Sequence, residues 1–219
     1  MSVCINVFEF SKPMPENNFK KIKDKFAAGT IVSDLEFDSI YPENVSEISK
    51  YQWSPVEVIL EAVTFLAEDQ NAKVLDIGSG CGKFCHVGAL SRKTKFYGVE
   101  ERFHLYEIAV QVSKKLKLNS NLFLHANMKD IDWSLYDSFY LFNPFYEHIT
   151  NKNSIDETIP KKVSQFFAYL EIVKRKLFNL KSGTKVVTYN SFGGKMPLGY
   201  KRVKLDKRFE SELEFWIKD

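Results

Sequence analysis

The stretch KVLDIGSGCGKF, residues 73–84, constrains the fold of this chain more than any other. An apolar run ends in an acid, Asp76, and glycines follow at every second position, Gly78, Gly80 and Gly82. Three of only 10 glycines in 219 residues lie here. Glycines permit positive φ angles and let a ligand approach the backbone. The pattern predicts a buried strand, a tight ligand-binding loop and the first turn of a helix.

Strands and helices alternate from this point onward. We predict strands at AKVLDIG, KFYGVE, NLFLHA, SFYLFN and TKVVTYN, and helices at residues 83–90, 104–116 and 159–180. This alternation is typical of a parallel sheet with helices on both faces. The segments YKRVKLD and SELEFWIKD predict an antiparallel pair at the sheet edge. The glycine-rich segment SFGGKMPLGY indicates that the usual last crossover helix is shortened or missing.

The first 50 residues differ from the rest of the chain. Their apolar pattern is broken, and only one helix is predicted, at residues 17–28. A stronger helical pattern then begins, with Ser54 as a good N-cap, Pro55 at the first helical position and Glu57 at the third, and runs to about Asp69. We therefore predict an N-terminal extension or cap over residues 1–50 and a main domain over residues 51–219.

Composition and terminal features favour a cytoplasmic protein. No run of about 18 apolar residues predicts a membrane span, and the N-terminus lacks the pattern of a secretory signal. The cysteines, Cys4, Cys81 and Cys85, are too few and too clustered for a disulfide framework. The net charge of +3 is weak support for an anionic partner, and the short lysine-rich clusters fit solvated charged faces.

The glycine spacing distinguishes between two kinds of ligand. The dinucleotide pattern G-x-G-x-x-G would require a third glycine at Lys83 if counted from Gly78. Asp76 would also repel a pyrophosphate, whereas an ammonium or sulfonium group would be attracted to it. The loop therefore favours a cationic ligand over a dinucleotide.

Acids and turn residues after the next two strands extend this ligand site. Glu100 ends the second strand, where a carboxylate can accept hydrogen bonds from both hydroxyls of a ribose. Asn127 and Met128 follow the third strand, where they would pair with an adenine amino group and pack on its ring. A strand-end carboxylate and ordinary turn residues are the alternative interpretations.

The motifs VLDIGSGCGKF, YGVEERF, HANMKD and YLFNPF together resemble those of class I S-adenosylmethionine-dependent methyltransferases, over roughly residues 51–190. The resemblance implies a Rossmann-like, doubly wound, mostly parallel seven-stranded sheet whose last strand is antiparallel. It implies S-adenosylmethionine as cofactor, with its methionine part at Asp76, Gly78 and Gly80, within a loop that also holds Ser79 and Gly82. Glu100 would bind the ribose, and Asn127, where many relatives have an acid, would lie at the adenine with Met128.

The methyl acceptor is predicted to bind at LFNPFYEH, after the fourth strand. The series Asn143, Pro144, Phe145 and Tyr146 resembles the (Asp/Asn)-Pro-Pro-(Phe/Tyr) motif of relatives that methylate amino nitrogens, but it lacks the second proline. A side-chain amide and a proline-fixed carbonyl would orient an amine, and an aromatic face would stabilise growing positive charge. A strand-ending turn with buried aromatics is the alternative.

Other residues near these motifs are assigned more weakly. Tyr51 and Gln52 are predicted to close over the methionine end of the cofactor. Glu147 and His148 would serve as a general base or, as we favour, as surface loop residues. Cys81 and Cys85 are expected to be buried small residues rather than metal ligands, so no metal is predicted.

The sequence thus predicts N-methylation of a protein side chain or a nucleobase, while a small-molecule acceptor stays open and no membrane partner is expected. A non-catalytic module that binds S-adenosylmethionine is the main alternative, because the acceptor motif is imperfect. A nicotinamide-dependent oxidoreductase is disfavoured by the glycine spacing and by the lack of a substrate domain after the fifth strand.

Overall fold

The computed structural model describes residues 16–118, 122–149, 155–156, 158–159 and 161–219. Cys4 and the first 15 residues of the predicted extension lie outside this part of the chain. The helices are α1 Glu16–Ala27, α2 Asp34–Asp38, α3 Glu43–Gln52, α4 Val56–Leu66, α5 Lys83–Ser91, α6 Phe103–Lys115 and α7 Val163–Phe178. The strands are β1 Lys73–Ile77, β2 Lys95–Glu100, β3 Phe123–His125, β4 Ser138–Phe142, β5 Lys185–Tyr189, β6 Tyr200–Asp206 and β7 Leu213–Lys218.

The strands form one sheet in the order β3-β2-β1-β4-β5-β7-β6. Strands β1 to β5 pair in parallel, and β7 lies antiparallel between β5 and β6. The predicted mostly parallel, seven-stranded sheet with an antiparallel C-terminal strand is confirmed. The strand order reverses between β1 and β4, so the loops after these two strands diverge there and leave a crevice.

Side chains alternate between two apolar cores, one on each face of the sheet. Val74 and Tyr140 face a core that contains apolar residues of α4, α5 and α6. Leu75 and Phe139 face the opposite core, which contains the inner face of α7. Because successive residues of a strand point to opposite faces, this arrangement confirms the doubly wound architecture.

The N-terminal helices pack into the first of these cores. Phe19 and Ile22 of α1 and Phe37 of α2 are at most 2% exposed there. The helix predicted at residues 17–28 is therefore confirmed as α1, whereas α2 and α3 were not predicted. The capping box formed by Ser33 and Glu36 marks the start of α2. The predicted boundary between residues 50 and 51 falls inside α3, and the division into an extension and a main domain stays a prediction.

Two predicted helix starts were wrong. Pro55, not Ser54, is the N-cap of α4, and the Ser54 hydroxyl lies 2.6 Å from the Tyr140 hydroxyl in the core. A buried partner for the hydroxyl thus replaces the capping bond. Helix α7 begins at Val163 rather than Ile159, because Ile159 precedes a proline and that position disfavours helical backbone.

The last crossover is short, as predicted. Residues 190–199, between β5 and β6, contain no helix. Asn190 and Ser191 instead turn the chain with positive φ angles of 55° and 59°. The edge strand β6 is mostly exposed and basic, and its pairing shifts between Arg202 and Lys204, two features that oppose pairing with another chain.

His86 of α5 joins the N-terminal segment to α6. Its Nδ1 lies 2.9 Å from the Tyr41 hydroxyl, and its Nε2 lies 3.1 Å from the Ala109 carbonyl oxygen. A carbonyl only accepts, so Nε2 carries the proton and the Tyr41 hydroxyl donates to Nδ1. Burial, opposed by the Ala109 carbonyl, lowers the pKa of His86 to about 3.

The stability difference between the wild type and a His86→Gln variant should therefore depend on pH. The unfolded wild type takes up a proton below about pH 6.5, whereas the folded ring resists protonation down to about pH 3. His86 thus contributes stability above pH 6.5 that is lost towards pH 3, with a slope of up to about 1.4 kcal/mol per pH unit. Urea unfolding at several pH values measures this slope. An identical slope for the wild type and His86→Gln would contradict the assignment.

Candidate active site

A cleft opens at the carboxyl ends of β1, β2 and β4, where the strand order reverses. Nine of the residues predicted as site residues line it: Gln52, Gly78, Gly80, Glu100, Asn127, Met128, Asn143, Pro144 and Phe145. The glycine loop and the predicted acceptor loop therefore share one cavity. Since β1 and β4 are neighbours in the sheet, this juxtaposition follows from the topology.

The other five predicted residues do not line the cleft. Tyr51 and Tyr146 are about half exposed, at 53% and 49%, outside it. Ser79 is buried, and a Cβ at Gly98 would be 2.6 Å from its hydroxyl. Gly82 packs against the Phe123 ring, which would lie 2.6 Å from an added Cβ. The fifth, Asp76, is buried near the cleft and is described below with Glu100.

The glycine loop has the backbone conformation that its sequence predicts. Gly78, Gly80 and Gly82 have φ angles of 75°, 54° and 82°. The Gly78 and Ser79 amides both donate to the Val99 carbonyl at 3.0 Å, and the Gly80 amide donates to a Glu100 carboxylate oxygen at 2.9 Å. These bonds connect the loop to the end of β2.

Trp53 is a cleft residue that the sequence analysis missed. Its indole lies so close to Gly80 that an added Cβ would be 2.2 Å from Nε1. The ring is 7% exposed, and its N–H makes no hydrogen bond with any described residue. Trp53 follows the predicted pair Tyr51 and Gln52 directly, so the prediction placed the right segment but not the right side chain.

Asp76 and Glu100 are two buried carboxyl groups on adjacent strands. Burial, together with the nearby Glu100 charge, raises the pKa of Asp76 well above its usual value. Burial also raises the pKa of Glu100, against the backbone N–H groups of Arg102 and Gly80 and the Arg102 guanidinium. The Asp76 carboxyl makes no hydrogen bond with a described residue. A cation bound beside these carboxyl groups would offset this effect and favour their charged forms.

Arg102 links the end of β2 to the segment that follows the acceptor loop. Its guanidinium pairs with Glu147, lies 3.3 Å from Asp156 and is 4.0 Å from Glu100. The Arg102 amide also donates to Glu100 at 2.8 Å. Glu147 is thus part of an ion-pair cluster at the cleft, and His148 is buried, so neither is the free surface loop residue that we favoured.

The acceptor loop has a strained backbone at its first residue. Asn143 has a φ of 38°, and its amide donates to the Ser191 carbonyl at 3.0 Å, which joins the ends of β4 and β5. Its side-chain amide has no hydrogen bond with the described residues. Pro144 lies against the glycine loop, 3.2 Å from the position of an added Cβ at Gly78. Backbone strain of this kind is concentrated at functional sites.

The third part of the cleft is lined by Asn127, Met128, Phe145 and Tyr169. Met128 is 6% exposed, and the Asn127 side chain caps the short helical turn that begins there. The Phe145 ring lies 5.1 Å from the Tyr169 ring. This wall of apolar and aromatic side chains suits a planar ring system.

The cysteines within the described residues are buried, unpaired thiols. Burial, helped by the Asp38 charge, raises the pKa of Cys81, and burial with the Asp76 charge raises that of Cys85. Within the described ranges, no group of three His, Cys, Asp or Glu side chains is placed to hold a metal ion. None of the helices in these ranges is both long and apolar enough to cross a membrane.

No protein-family model matches the chain, and no curated protein does. Solved structures do match it in fold. An RNA methyltransferase from Salinibacter ruber, in complex with S-adenosyl-L-homocysteine, has a TM-score of 0.52 at 18% identity, over 74% of this chain and 89% of that one. A SAM-dependent O-methyltransferase from Thermotoga maritima has a TM-score of 0.51 at 14% identity, over 81% of this chain and 71% of that one.

A third structure, a variant of MtNAS in complex with S-adenosylmethionine, covers 94% of this chain and 76% of its own, with a TM-score of 0.51 at 12% identity. The likeness to these structures is one of fold. The chain has the class I methyltransferase fold, with the seven-stranded sheet that its motifs predicted.

Proposed function

We propose that this protein is an S-adenosylmethionine-dependent methyltransferase that acts on a nitrogen of a protein side chain or a nucleobase. One observation carries the proposal: the glycine loop, bonded to Glu100, and the Asn143 loop line the same cleft, with Pro144 against Gly78. A methyl donor held by the first loop would thus lie beside an acceptor held by the second. The solved structures of this fold that hold S-adenosyl ligands support the choice of cofactor.

The residues present fit this cofactor. The lack of a Cβ at Gly80 lets the Trp53 indole lie against the glycine loop, and the buried carboxyl of Asp76 has no hydrogen bond with a described residue. Asp76 and the Trp53 N–H would receive the ammonium and carboxylate of the methionine part. Glu100 would accept hydrogen bonds from the ribose, and Met128 would pack on the adenine. When bound, S-adenosylmethionine supplies a methyl carbon activated by its sulfonium.

The protein's contribution on the acceptor side is alignment. The Asn143 side-chain oxygen and the Pro144 carbonyl can accept two N–H bonds from an amine, which leaves its lone pair free to face the methyl carbon. Phe142 and Phe145 flank this position in the cleft and can stabilise the positive charge that grows on nitrogen. The proton then leaves to water, because neither carbonyl group is a base.

Glu100→Gln should weaken binding of S-adenosylhomocysteine by about 10- to 100-fold, because hydrogen bonds to a carboxylate contribute about 1.5–3 kcal/mol. The neutral amide keeps the shape of the side chain, and its single oxygen can still accept from one of the two backbone amides that donate to Glu100. Glu171→Gln, at a residue whose side chain is 73% exposed on α7, is the matched control and should bind like the wild type. Calorimetry measures both, and equal affinity in all three proteins would place the ribose elsewhere.

Transfer of a labelled methyl group tests the reaction itself. The purified protein is incubated with cell extract and methyl-labelled S-adenosylmethionine, and label is followed in protein, RNA and small-molecule fractions. We expect label in protein or RNA, and at least a tenfold loss of it with Asn143→Ala, since alignment accounts for most of this catalysis. Intact cofactor binding with no label in any fraction would favour the non-catalytic module. Label only in small molecules would replace the proposed acceptor class.

A further inference from the structure

Tyr169, on α7, lines the cleft together with Asn127 and Met128, although no sequence motif marks it. The side chain is 6% exposed, and its ring lies 5.1 Å from Phe145 and 5.4 Å from His148. The Tyr169 side chain therefore lies in the wall of the cleft where the planar part of the cofactor would bind.

The hydrogen bonds of Asn127 show which of its atoms are already engaged. The Lys129 amide donates to Asn127 Oδ1 at 3.1 Å, so the oxygen is identified and Nδ2 lies on the other side. Nδ2 donates to a Glu101 carboxylate oxygen at 2.9 Å and to the Tyr169 hydroxyl at 2.6 Å. Both of its N–H groups are used, which leaves one lone pair of Oδ1 as the only remaining capacity of this side chain.

The Tyr169 hydroxyl accepts two hydrogen bonds and has its own proton left over. The second bond comes from Gln165 Nε2 at 2.9 Å. Both lone pairs of the oxygen are thus occupied by Asn127 and Gln165. No described residue accepts the hydroxyl proton, and Tyr169 lines the cleft. A buried donor of this kind is expected to find its acceptor on a ligand.

We infer that Tyr169 is a specificity-determining residue that donates its hydroxyl proton to a ring nitrogen of the cofactor's adenine, while Asn127 Oδ1 accepts from the adenine amino group. Adenine presents an amino donor next to ring-nitrogen acceptors, which matches one acceptor and one donor on the protein. An aspartate at position 127 would lack the N–H groups that hold the Tyr169 hydroxyl, so the asparagine and the tyrosine act as a pair. This inference rests on the proposed function, because it takes the ligand to be an S-adenosyl compound.

A double-mutant cycle between the protein and its ligand tests this bond. The ligands are S-adenosylhomocysteine and its 1-deaza and 7-deaza analogues, in which one ring nitrogen is replaced by C–H. We expect Tyr169→Phe to bind S-adenosylhomocysteine about 5- to 20-fold more weakly than the wild type. One of the two analogues should lose a similar factor on the wild type and nothing further on Tyr169→Phe.

Tyr136→Phe is the matched control, since Tyr136 is a 7% exposed tyrosine of the same core that does not line the cleft. It should bind all three ligands as the wild type does. Wild-type affinities for the three ligands test the bond even if Tyr169→Phe proves unstable. Equal affinities, or a Tyr169→Phe loss that is the same for every ligand, would overturn the inference and leave the cofactor assignment intact. Failure of the wild type to bind S-adenosylhomocysteine at all would overturn both.

Discussion

Lys83→Met is expected to lower the free energy of unfolding by about 3–5 kcal/mol, because it removes one partner of a buried ion cluster. The Lys83 side chain is only 2% exposed, and its Nζ lies 2.7 Å from Asp34 and 2.8 Å from Asp38. It also lies 3.2 Å from the Ser49 hydroxyl. Lys83 begins α5 directly after the glycine loop, so this cluster connects α2 and α3 to that loop. Urea unfolding measures the loss.

Two further variants separate the buried charge from simple loss of a lysine. Lys20→Met breaks an ion pair with Asp24 in which both side chains are well exposed, and such pairs contribute about 0–1 kcal/mol. Adding Asp38→Asn to Lys83→Met should recover part of the loss, because it removes the carboxylate left without its partner. A loss below about 1 kcal/mol for Lys83→Met would show that the cluster does not hold the N-terminal helices.

Gly80→Ala is expected to weaken cofactor binding as strongly as Glu100→Gln does. The added Cβ would lie 2.2 Å from Trp53 Nε1, so the indole would have to leave its position over the loop. The strain of overpacking is typically about 1–3 kcal/mol, which predicts a roughly 10- to 100-fold loss of affinity for S-adenosylhomocysteine. The Gly80 amide, which donates to Glu100, would move with the loop. Calorimetric titration of the variant measures the effect.

Gly29→Ala is the matched control for the cost of placing alanine at a positive φ angle. Gly29 also has a positive φ, 65°, but an added Cβ there meets nothing within 4 Å. Both variants therefore carry the cost of alanine in the left-handed region, about 1–2 kcal/mol of stability. Only Gly80→Ala should lose affinity. Wild-type affinity in Gly80→Ala would mean that the loop does not contact the ligand.

The fold could be predicted because its signals are local and periodic. Alternating strands and helices, three spaced glycines and the terminal hairpin each leave a pattern over neighbouring residues. The N-terminal helices α2 and α3 were missed because their burial depends on distant partners. Asp38 and Ser49, for example, are polar residues that become buried only because Lys83, far along the chain, contacts them.

The site was predictable only where backbone and strand ends define it. Gly78, Gly80 and Glu100 lie at positions that any strand-loop-helix unit of this kind specifies. Arg102 and Tyr169 could not be found in this way, because their roles come from hydrogen-bond and charge networks across separate elements. Single side chains such as Trp53 depend on how one helix end enters the cleft, which no short pattern encodes.

The central claim is that the cleft between the glycine loop and the Asn143 loop binds an S-adenosyl cofactor. Isothermal titration of the purified protein with S-adenosylhomocysteine tests it most directly. We predict one-to-one binding that is weakened by Glu100→Gln and by Gly80→Ala and unchanged by Gly29→Ala. No heat of binding with ligand on the order of hundreds of micromolar, equivalent to a binding free energy weaker than about −5 kcal/mol, would contradict the account.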